Sequence, residues 1–296
     1  MDLGIEAKLA IVTGSTAGIG YAVAEALVRE GARVVVNGRT PARVEAAIAR
    51  VREAVPGART EAVPGARAGA VRDVRAEGGG AARAESAAAG HIEGVAADVS
   101  TAEGCARLIA AHPDADILVN NMGIFEPRAF DEITDTDWMR FFEANVLSGV
   151  RLARHYVRGM RARNWGRIVF VSSESGVQIP AEMIHYGVTK TAQIAVARGL
   201  AETLAGTNVT VNSVLPGPTA SEAVDRFVAQ AAAATGKDAA ALERDFFTTL
   251  RPSSILKRFA TTAEVASLIA YVCSAKASAT TGAALRVDGG VVRAIV

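Results

Sequence analysis

Two kinds of apolar pattern alternate along the chain. Short continuous apolar runs, such as Ile117–Val119 and Ile168–Val171, are typical of strands whose two faces are both covered. Longer segments between them, such as 18–30 and 41–54, carry apolar residues at helical spacing. Strands that alternate with helices predict a parallel sheet with helices on both faces. We therefore predict an α/β fold with a doubly wound, parallel, seven-stranded sheet.

The same pattern places the boundaries of the elements. Strands are predicted at 8–13, 33–37, 92–96, 116–120, 167–172, 209–214 and 284–288. Helices are predicted near 18–30, 41–54, 101–111, 134–161, 186–205 and 262–274. With 296 residues, 50% of them hydrophobic, one large core can be buried, and a single domain over 1–296 is expected.

Charge and cysteine content narrow the function classes. Basic and acidic residues nearly balance, 32 against 31, and no basic stripe follows a helix, so nucleic acid is not an expected partner. Cys105 and Cys273 are far apart without a metal-type spacing, which predicts structural thiols in a reducing compartment and no metal site. No apolar stretch is long enough to span a bilayer and no signal-peptide pattern is present, so a cytoplasmic protein without membrane contact is expected.

A glycine-rich turn, Thr13–Gly20, lies between the first predicted strand and the first predicted helix. Strand, glycine turn and helix in this order are the context in which such a turn binds a dinucleotide. Gly14 permits the tight turn, and Gly18 lets the backbone approach a pyrophosphate, which the amides at the start of the helix then hold. The alternative is a turn that only joins a strand to a helix.

Tyr186 and Lys190 are four residues apart in a predicted helix, and Ser173 precedes the tyrosine by thirteen positions. A separation of four places both side chains on one face of the helix. A tyrosine ordinarily loses its proton near pH ~10, and a nearby cation lowers that pKa. The spacing therefore predicts a phenol that exchanges a proton with a substrate oxygen.

Together these residues resemble the short-chain dehydrogenase/reductase family, in its 3-oxoacyl-reductase-like branch. The family's motifs occur in order over nearly the whole chain: Thr13 to Gly20, Asp98-Val99, Asn120-Asn121-Met122-Gly123, Asn145-Val146, Ser172-Ser173, Tyr186-x-x-x-Lys190, Pro216-Gly217-Pro218-Thr219 and Val287-Asp288-Gly289-Gly290. The resemblance implies a Rossmann-type fold. It also implies an oxidoreductase that transfers a hydride between a nicotinamide and a carbonyl or secondary alcohol.

The resemblance implies four catalytic residues. Tyr186 is the acid/base, and Lys190 lowers the pKa of the tyrosine and holds the nicotinamide ribose. Ser173 hydrogen-bonds the reacting oxygen and is chosen over Ser172 because its distance to Tyr186 in the sequence matches the family spacing. Asn145 helps to position a water beside the lysine through its backbone; the alternative is a polar residue packed inside a helix.

The resemblance also implies a cofactor site. After the second strand the chain carries Arg39 and no Asp or Glu for the ribose hydroxyls of NAD, so Arg39 is predicted to pair with the 2′-phosphate of NADP (NADPH). Because the glycine turn holds no basic residue, NAD stays an alternative. Asp98 is expected to bind the adenine amino group or, alternatively, to cap the next helix. The predicted cofactor-binding residues are Gly14, Ser15, Thr16, Gly18, Ile19, Gly20, Asn37, Arg39, Asp98, Val99, Asn121, Met122, Gly123, Tyr186, Lys190, Pro216, Gly217 and Thr219.

Two features depart from the family. Met122 stands where alanine is usual, and it is expected either to narrow the cofactor cleft or to repack beside it. The seven residues Glu53–Arg59 are repeated at Glu61–Arg67, and segment 56–90 has few large aliphatic residues, which predicts a low-complexity surface insertion rather than a partner-binding arm. Because this segment joins the end of a helix to the start of a strand, we expect it at the sheet edge opposite the ligand crevice. Deletion of 60–89 is then expected to leave the Michaelis constants nearly unchanged.

The substrate is predicted from the region around these motifs. Segment 220–258 resembles the family's variable substrate lid, and its apolar face is formed by Phe227, Phe246, Phe247 and Leu250. Further candidate pocket walls are Phe125, Val177, Gln178, Ile179 and Met183. Together they favour a medium-sized, partly apolar alcohol or ketone as the small-molecule substrate. His185, next to Tyr186, is expected to be a rim or core residue, since neighbours in a helix point in different directions.

Other readings stay open at this point. One is a catalytically idle dinucleotide-sensing or scaffold protein, which the complete set of Ser173, Tyr186 and Lys190 disfavours. Another is a reductase of 3-oxoacyl thioesters on a carrier protein, which Arg128, Arg226 and Arg244 would contact. The resemblance finally implies a homotetramer or homodimer, paired through the helices predicted at 134–161 and 186–205 and through the apolar end of the chain.

Overall fold

The apolar runs form one large, parallel sheet. The computed structural model describes residues 2–60, 90–222, 224, 229, 232 and 236–295. The strands in chain order are β1 Leu9–Val12, β2 Arg33–Gly38, β3 Arg59–Thr60, β4 His91–Ala96, β5 Ile117–Asn120, β6 Gly166–Val171, β7 Val209–Pro216, β8 Thr219–Ala220, β9 Ala260–Thr261 and β10 Ala284–Val287. The large sheet has the order β10-β7-β6-β5-β1-β2-β4-β3, and β8 pairs with β9. All of these pairings are parallel.

The predicted fold class is confirmed, but the predicted number of seven strands is wrong. The large sheet has 8 strands because the two-residue β3 joins its edge. Both residues of β3 are exposed and polar, so no apolar alternation could indicate a strand there. The strand lies inside the predicted loop 56–90, of which 61–89 fall outside the described residues. Since β3 pairs with the first two residues of β4, the chain on both sides of that gap lies at the amino edge of the sheet.

Among the described residues, the helices agree with the predicted spacing, and one further helix lies where none was predicted. They are α1 Gly18–Arg29, α2 Pro41–Ala54, α3 Ala102–Ala111, α4 Asp135–Phe142, α5 Ser148–Ala162, α6 Ile184–Glu202, α7 Ala239–Thr249 and α8 Thr262–Val272. A π-helical turn, Glu143–Leu147, joins α4 to α5, so the long helix predicted at 134–161 is present with one irregular turn. Helix α7 lies in the predicted lid, and the aromatic rings of Phe246 and Phe247 pack against Phe259.

Two apolar clusters cover the two faces of the sheet. The first packs α1, α2 and α8 against the sheet, and the second packs α3, α5 and α6 against the opposite face. In β1, Ala10 and Val12 belong to the first cluster and Ile11 belongs to the second. This arrangement explains why the strands are continuous apolar runs, since each side chain of the strand enters one core or the other.

The strand order fixes the position of the ligand crevice. Successive strands extend the sheet in opposite directions from the neighbours β1 and β5, so this is the point at which the topology switches. In open parallel sheets, ligands bind outside the carboxyl ends of the strands at such a point. The glycine turn follows β1, and Asn121–Gly123 follow β5, so both lie at this edge.

Neither cysteine is available at the surface. Cys105 and Cys273 are free and buried. Burial raises the pKa of the Cys105 thiol to about 11 and that of Cys273 to about 12, which keeps both thiols protonated at neutral pH. Within the described part of the chain, we find no helix whose length and hydropathy would allow it to span a bilayer.

Candidate active site

The glycine turn has the shape that a pyrophosphate requires. Gly14 and Gly18 have φ of +60° and +57°, a conformation that favours glycine. A Cβ on Gly20 would lie 2.5 Å from Nδ2 of Asn121, so only glycine fits at that approach. Helix α1 begins at Gly18, its N-cap Ala17 makes no side-chain hydrogen bond, and its first turn contains no acidic residue. The amides of this turn therefore fit an anionic group.

Asn121 and Thr13 lock the two loops of the crevice together. Nδ2 of Asn121 donates to the carbonyls of Thr13 and Gly14 over 3.0 and 3.1 Å. Oγ1 of Thr13 accepts from the backbone amides of Asn121 and Met122. The side chain of Met122 packs against the second apolar cluster, so it repacks beside the cleft and does not line the pocket described below.

Two of the predicted cofactor-binding residues, Asn37 and Arg39, lie at the end of β2 in different surroundings. The side-chain Nδ2 of Asn37 donates to the carbonyls of Val95 and Ala97, and its Oδ1 accepts from the backbone amide of Gly14. Asn37 therefore fixes the glycine turn, and its contact with the cofactor stays a prediction. Arg39 is exposed and forms no ion pair or hydrogen bond with the described residues. Its guanidinium, just beyond β2, is thus free of described partners, and its contact with a 2′-phosphate stays a prediction.

The remaining predicted cofactor residues also lie at the carboxyl edge. Asp98 follows β4, and its Oδ1 accepts from the amide and the hydroxyl of Ser100. The N-cap of α3 is Thr101, so the alternative role of Asp98 as the cap of that helix is not observed. After β7, a Cβ on Gly217 would lie 2.5 Å from the carbonyl oxygen of Asp288, so glycine is needed for this close approach. The predicted residues Ser15, Thr16, Val99 and Gly123 lie in loops at this edge, whereas Ile19 lies in the first turn of α1, Pro216 ends β7 and Thr219 begins β8.

The two serines after β6 have different roles. The hydroxyl of Ser172 donates to the backbone carbonyl of Lys190 over 2.7 Å, so it ties the strand end to α6. Ser173 lines the pocket, accepts from the amide of Ser175 and donates to the carboxylate of Glu174. Both serines line the pocket, and the assignment of Ser173 to the reacting oxygen stays a prediction.

The pKa of Tyr186 differs from the sequence expectation. Burial raises it, the charge of Glu174 raises it further, and a hydrogen bond with Ser173 and the charge of Arg251 act in the opposite direction. The expected lowering by Lys190 is not seen in this structure, in which burial has the largest effect and Lys190 is not among the groups that shift this pKa. Nζ of Lys190 lies 5.5 Å from the centroid of the tyrosine ring.

Lys190 is held by groups that the sequence reading did not include. Its Nζ donates to the carbonyl of Val171 over 2.9 Å and to Oε1 of Gln193 over 3.0 Å. Nε2 of Gln193 donates over 2.6 Å to the backbone carbonyl of Asn145. Burial lowers the pKa of Lys190 to about 7. Gln193 thus bridges the two residues that the resemblance joins through a water.

The side chain of Asn145 shapes the loop after β5. Its Oδ1 accepts from the amide of Ile124 over 2.7 Å, and its Nδ2 donates to the carbonyl of Ile124 and to Thr189. Asn145 sits in the π-helical turn, an irregularity that is frequent at functional sites. The backbone carbonyl and the side chain of Asn145 therefore both contribute to the site.

A pocket of about 540 Å³ joins the glycine turn to the catalytic residues. Phe125 and Met183, two of the predicted walls, line it, and Phe125 contacts Tyr186 edge to face with 6.3 Å between centroids. From the lid, Phe246 and Leu250 line it, whereas Phe247 is buried against Phe259. The pocket is not lined by the predicted walls Val177, Gln178 and Ile179, and Phe227 lies outside the described residues. Its walls combine apolar rings with a few charged groups.

His185 is a core residue rather than a second base. It is buried, and its ring lies 4.0 Å from the centroid of Phe141 and 6.1 Å from that of Trp138. Burial lowers its pKa, which favours the neutral ring.

Three polar residues of the site were missed by sequence reasoning: Glu174, Gln193 and Arg251. Gln193 is three residues after Lys190, so helical spacing could have placed it on the lysine's face. Glu174 directly follows Ser173, and an acidic residue at the end of an apolar strand was a usable signal. Arg251 is 77 residues from Glu174, and no local pattern joins the two.

Comparisons with known proteins agree with this geometry. The family model described as "Enoyl-(Acyl carrier protein) reductase" matches residues 57–292, and the model described as "short chain dehydrogenase" matches residues 8–66. Two relatives from Bacillus subtilis (strain 168) align with this chain over 100% of its length and 100% of their own. They are "Uncharacterized oxidoreductase YvrD", 41% identical, and "Uncharacterized oxidoreductase YvaG", 39% identical. The L-sorbose reductase of Gluconobacter frateurii, solved with NADPH and L-sorbose, is 29% identical with a TM-score of 0.84, and each chain covers 100% of the other.

The fold and the site define an NAD(P)-dependent oxidoreductase. The chain belongs to the short-chain dehydrogenase/reductase family.

Proposed function

We propose that this protein is an NADP(H)-preferring enzyme that interconverts a ketone and a secondary alcohol, with Tyr186 as the acid/base. The observation that carries the proposal is the convergence of Ser173, Tyr186 and Lys190 on the pocket that also opens onto the glycine turn. When bound, the nicotinamide supplies or accepts the hydride. The protein has only to orient the two reactants and to move one proton.

Each catalytic side chain has one task in this proposal. During carbonyl reduction, the Tyr186 hydroxyl gives its proton to the substrate oxygen as the hydride arrives at the carbon. Ser173 hydrogen-bonds the same oxygen, where negative charge develops. Lys190 holds the nicotinamide ribose and is itself held by Gln193. Alcohol oxidation runs the same steps in reverse, with the phenolate as base.

The preference for NADP rests on Arg39. Its exposed guanidinium lies just beyond β2, and the strand end carries no carboxylate that would repel a 2′-phosphate. The 29% identical L-sorbose reductase was solved with NADPH, which supports the same choice here. The polar and apolar walls of the pocket suit a medium-sized, partly apolar substrate.

The decisive experiment measures the consumption of NADPH and of NADH with a panel of ketones of graded size and polarity. The expected result is turnover that depends on the ketone and is faster with NADPH. Tight NADPH binding without turnover of any ketone would instead support a dinucleotide-sensing protein.

A carrier-bound 3-oxoacyl thioester has less support as the substrate. Of the arginines predicted to contact a carrier, Arg128 is already paired with Glu126 and Asp137. Arg244 is exposed, and Arg226 lies outside the described residues. Equal turnover of a free 3-oxo ester and its carrier-bound thioester would argue against this substrate.

Assembly into a homotetramer or homodimer is part of the proposal. Its support is the set of large apolar side chains that α4 and α6 leave exposed: Met139 at 65%, Phe142 at 38% and Val188 at 41%. At the apolar end, Val291 and Val292 are buried within the chain, and Ile295 is exposed. Two free, buried thiols suit a cytoplasmic protein. Sedimentation at equilibrium tests the assembly, and a monomer would contradict it.

A further inference from the structure

Glu174 is a buried carboxylate in the wall of the pocket, directly after Ser173 in the chain. Its side chain is 6% exposed, and it begins a short 3-10 turn, Glu174–Gly176, for which Ser173 is the N-cap. One carboxylate oxygen accepts the hydroxyl hydrogen of Ser173. A buried carboxylate is costly unless a cation and hydrogen bonds compensate it, so its position requires a partner.

That partner is carried by the lid. Arg251 follows α7, and its amide donates to the carbonyl of Phe246 over 2.9 Å. Its Nε donates to the other carboxylate oxygen of Glu174 over 3.1 Å, and one Nη donates to Glu182 over 2.8 Å. The side chain of Arg251 is 8% exposed. The lid thus delivers the only cation that pairs with Glu174 within the described part of the chain.

The charged groups around Tyr186 come from three separate elements. Lys190 lies on the same helix, and its Nζ is engaged by Val171 and Gln193. Glu174 comes from the turn after β6, where its hydrogen bond to Ser173 leads towards the phenol. Arg251 comes from the lid, with Glu182 as the second carboxylate on its guanidinium. Glu174 opposes the ionisation of the phenol, and Arg251 favours it.

We propose that Glu174 and Arg251 are positioning residues for the reaction: Glu174 holds the hydroxyl of Ser173 until a bound substrate oxygen takes over its hydrogen, and Arg251 holds Glu174 in place beside Ser173 and Tyr186 from the lid. A protonated phenol is the form that reduces a carbonyl, and a phenolate is the form that oxidises an alcohol. The pair therefore biases the enzyme towards reduction. This inference rests on the proposed function but concerns residues outside the family's catalytic set.

The test compares the pH dependence of alcohol oxidation in wild type, Glu174→Gln, Arg251→Gln and Arg251→Lys. Glutamine keeps the size of Glu174 and removes its charge, so we expect the oxidation profile to move to lower pH by about one unit, or about tenfold in phenolate at a fixed pH. Arg251→Gln leaves the carboxylate uncompensated, so its profile should move to higher pH. Arg251→Lys keeps the charge and should restore a profile near that of wild type.

A matched control separates charge from packing. Glu182→Gln removes the other carboxylate that pairs with Arg251. Because Glu182 has no hydrogen bond to Ser173, the oxidation profile of this variant should move less than that of Glu174→Gln. Circular dichroism and thermal unfolding confirm that each variant folds. A loss of activity with superimposable profiles would mean that the pair is merely structural, and it would overturn the proposal.

A second readout does not depend on turnover. Difference absorbance between each protein and its Tyr186→Phe counterpart follows the ionisation of this one phenol. In the Glu174→Gln background the phenol should ionise at lower pH than in wild type. No difference between the two titrations over the range in which the fold persists would overturn the inference. If the wild type turns over no ketone but the titrations still differ, the proposed function fails, and only the effect of Glu174 on the phenol of Tyr186 stands.

Discussion

The two halves of the crevice use polar residues in opposite ways. In the half around the glycine turn, here called the cofactor half, the side chains of Asn37, Thr13 and Asn121 form hydrogen bonds with backbone groups of neighbouring loops. In the substrate half, Glu174 and Arg251 place buried charges against each other and against a reactive hydroxyl. The first arrangement shapes a surface of backbone amides, and the second places charges beside Tyr186, the residue proposed as the acid/base.

The difference separates two properties of the crevice: the geometry of its backbone and the electrostatics of its side chains. A neutral hydrogen-bond network fixes geometry and is insensitive to pH. A buried ion pair makes the site depend on the seating of a separate segment, because the loss of one partner leaves the other charge uncompensated. Four experiments sharpen this contrast.

The largest effect is expected for Tyr186→Phe, in the substrate half. Removal of the proposed acid/base should lower turnover by about 10²- to 10⁴-fold. The affinity for NADPH, measured by fluorescence titration, should stay within about twofold, since the cofactor half is untouched. Tyr271→Phe, at an exposed tyrosine on α8, is the matched control. Substantial turnover in Tyr186→Phe would rule out the mechanism.

An intermediate effect is expected for Gln193→Leu, at the junction of the two halves. The change removes an acceptor from Lys190 and a donor to Asn145, and the loss of a charged hydrogen bond corresponds to about tenfold or more in turnover. Gln193→Glu should raise the pKa of Lys190 from about 7, because a carboxylate stabilises the ammonium. The activity that depends on the ammonium should then persist to higher pH. Gln178→Leu, at an exposed glutamine that bonds Ser253, is the control.

A smaller and more selective effect is expected for Arg39→Ala, in the cofactor half. Loss of an exposed charge-assisted contact should raise the Michaelis constant for NADPH by about tenfold and leave that for NADH unchanged. Arg52→Ala, at the far end of α2, should change neither constant. Full affinity for NADPH in Arg39→Ala would remove the basis for the cofactor preference.

The smallest effect is expected from replacing 61–89 by a short glycine-serine linker. The flanking residues lie at the amino edge of the sheet, opposite the crevice. Both Michaelis constants should therefore stay within about twofold of wild type, a range that surface changes rarely exceed. A large rise in the constant for the cofactor would contradict this placement.

Predictability from the sequence follows the same division. The sheet and the glycine turn could be predicted because apolar runs, glycine spacing and the Tyr186-Lys190 interval are local patterns. The edge strand β3 could not, since two exposed polar residues carry no periodic signal. The pKa of Tyr186 could not either, because its direction depends on burial and on Glu174 and Arg251, which only the folded chain brings together. Met122 could be recognised in the sequence as a departure from the family motif. Whether its side chain enters the cleft or the core could not be predicted, because that depends on its packing against the second apolar cluster.

The two inaccessible thiols give the molecule a practical property. Alkylating dyes react with exposed thiolates, and Cys105 and Cys273 offer neither exposure nor ionisation at neutral pH. A single cysteine introduced at exposed Thr248 on α7 would then be the one reactive handle on the protein. A fluorophore there would report any change in the surroundings of α7 during turnover, without any need to remove the native sulfurs.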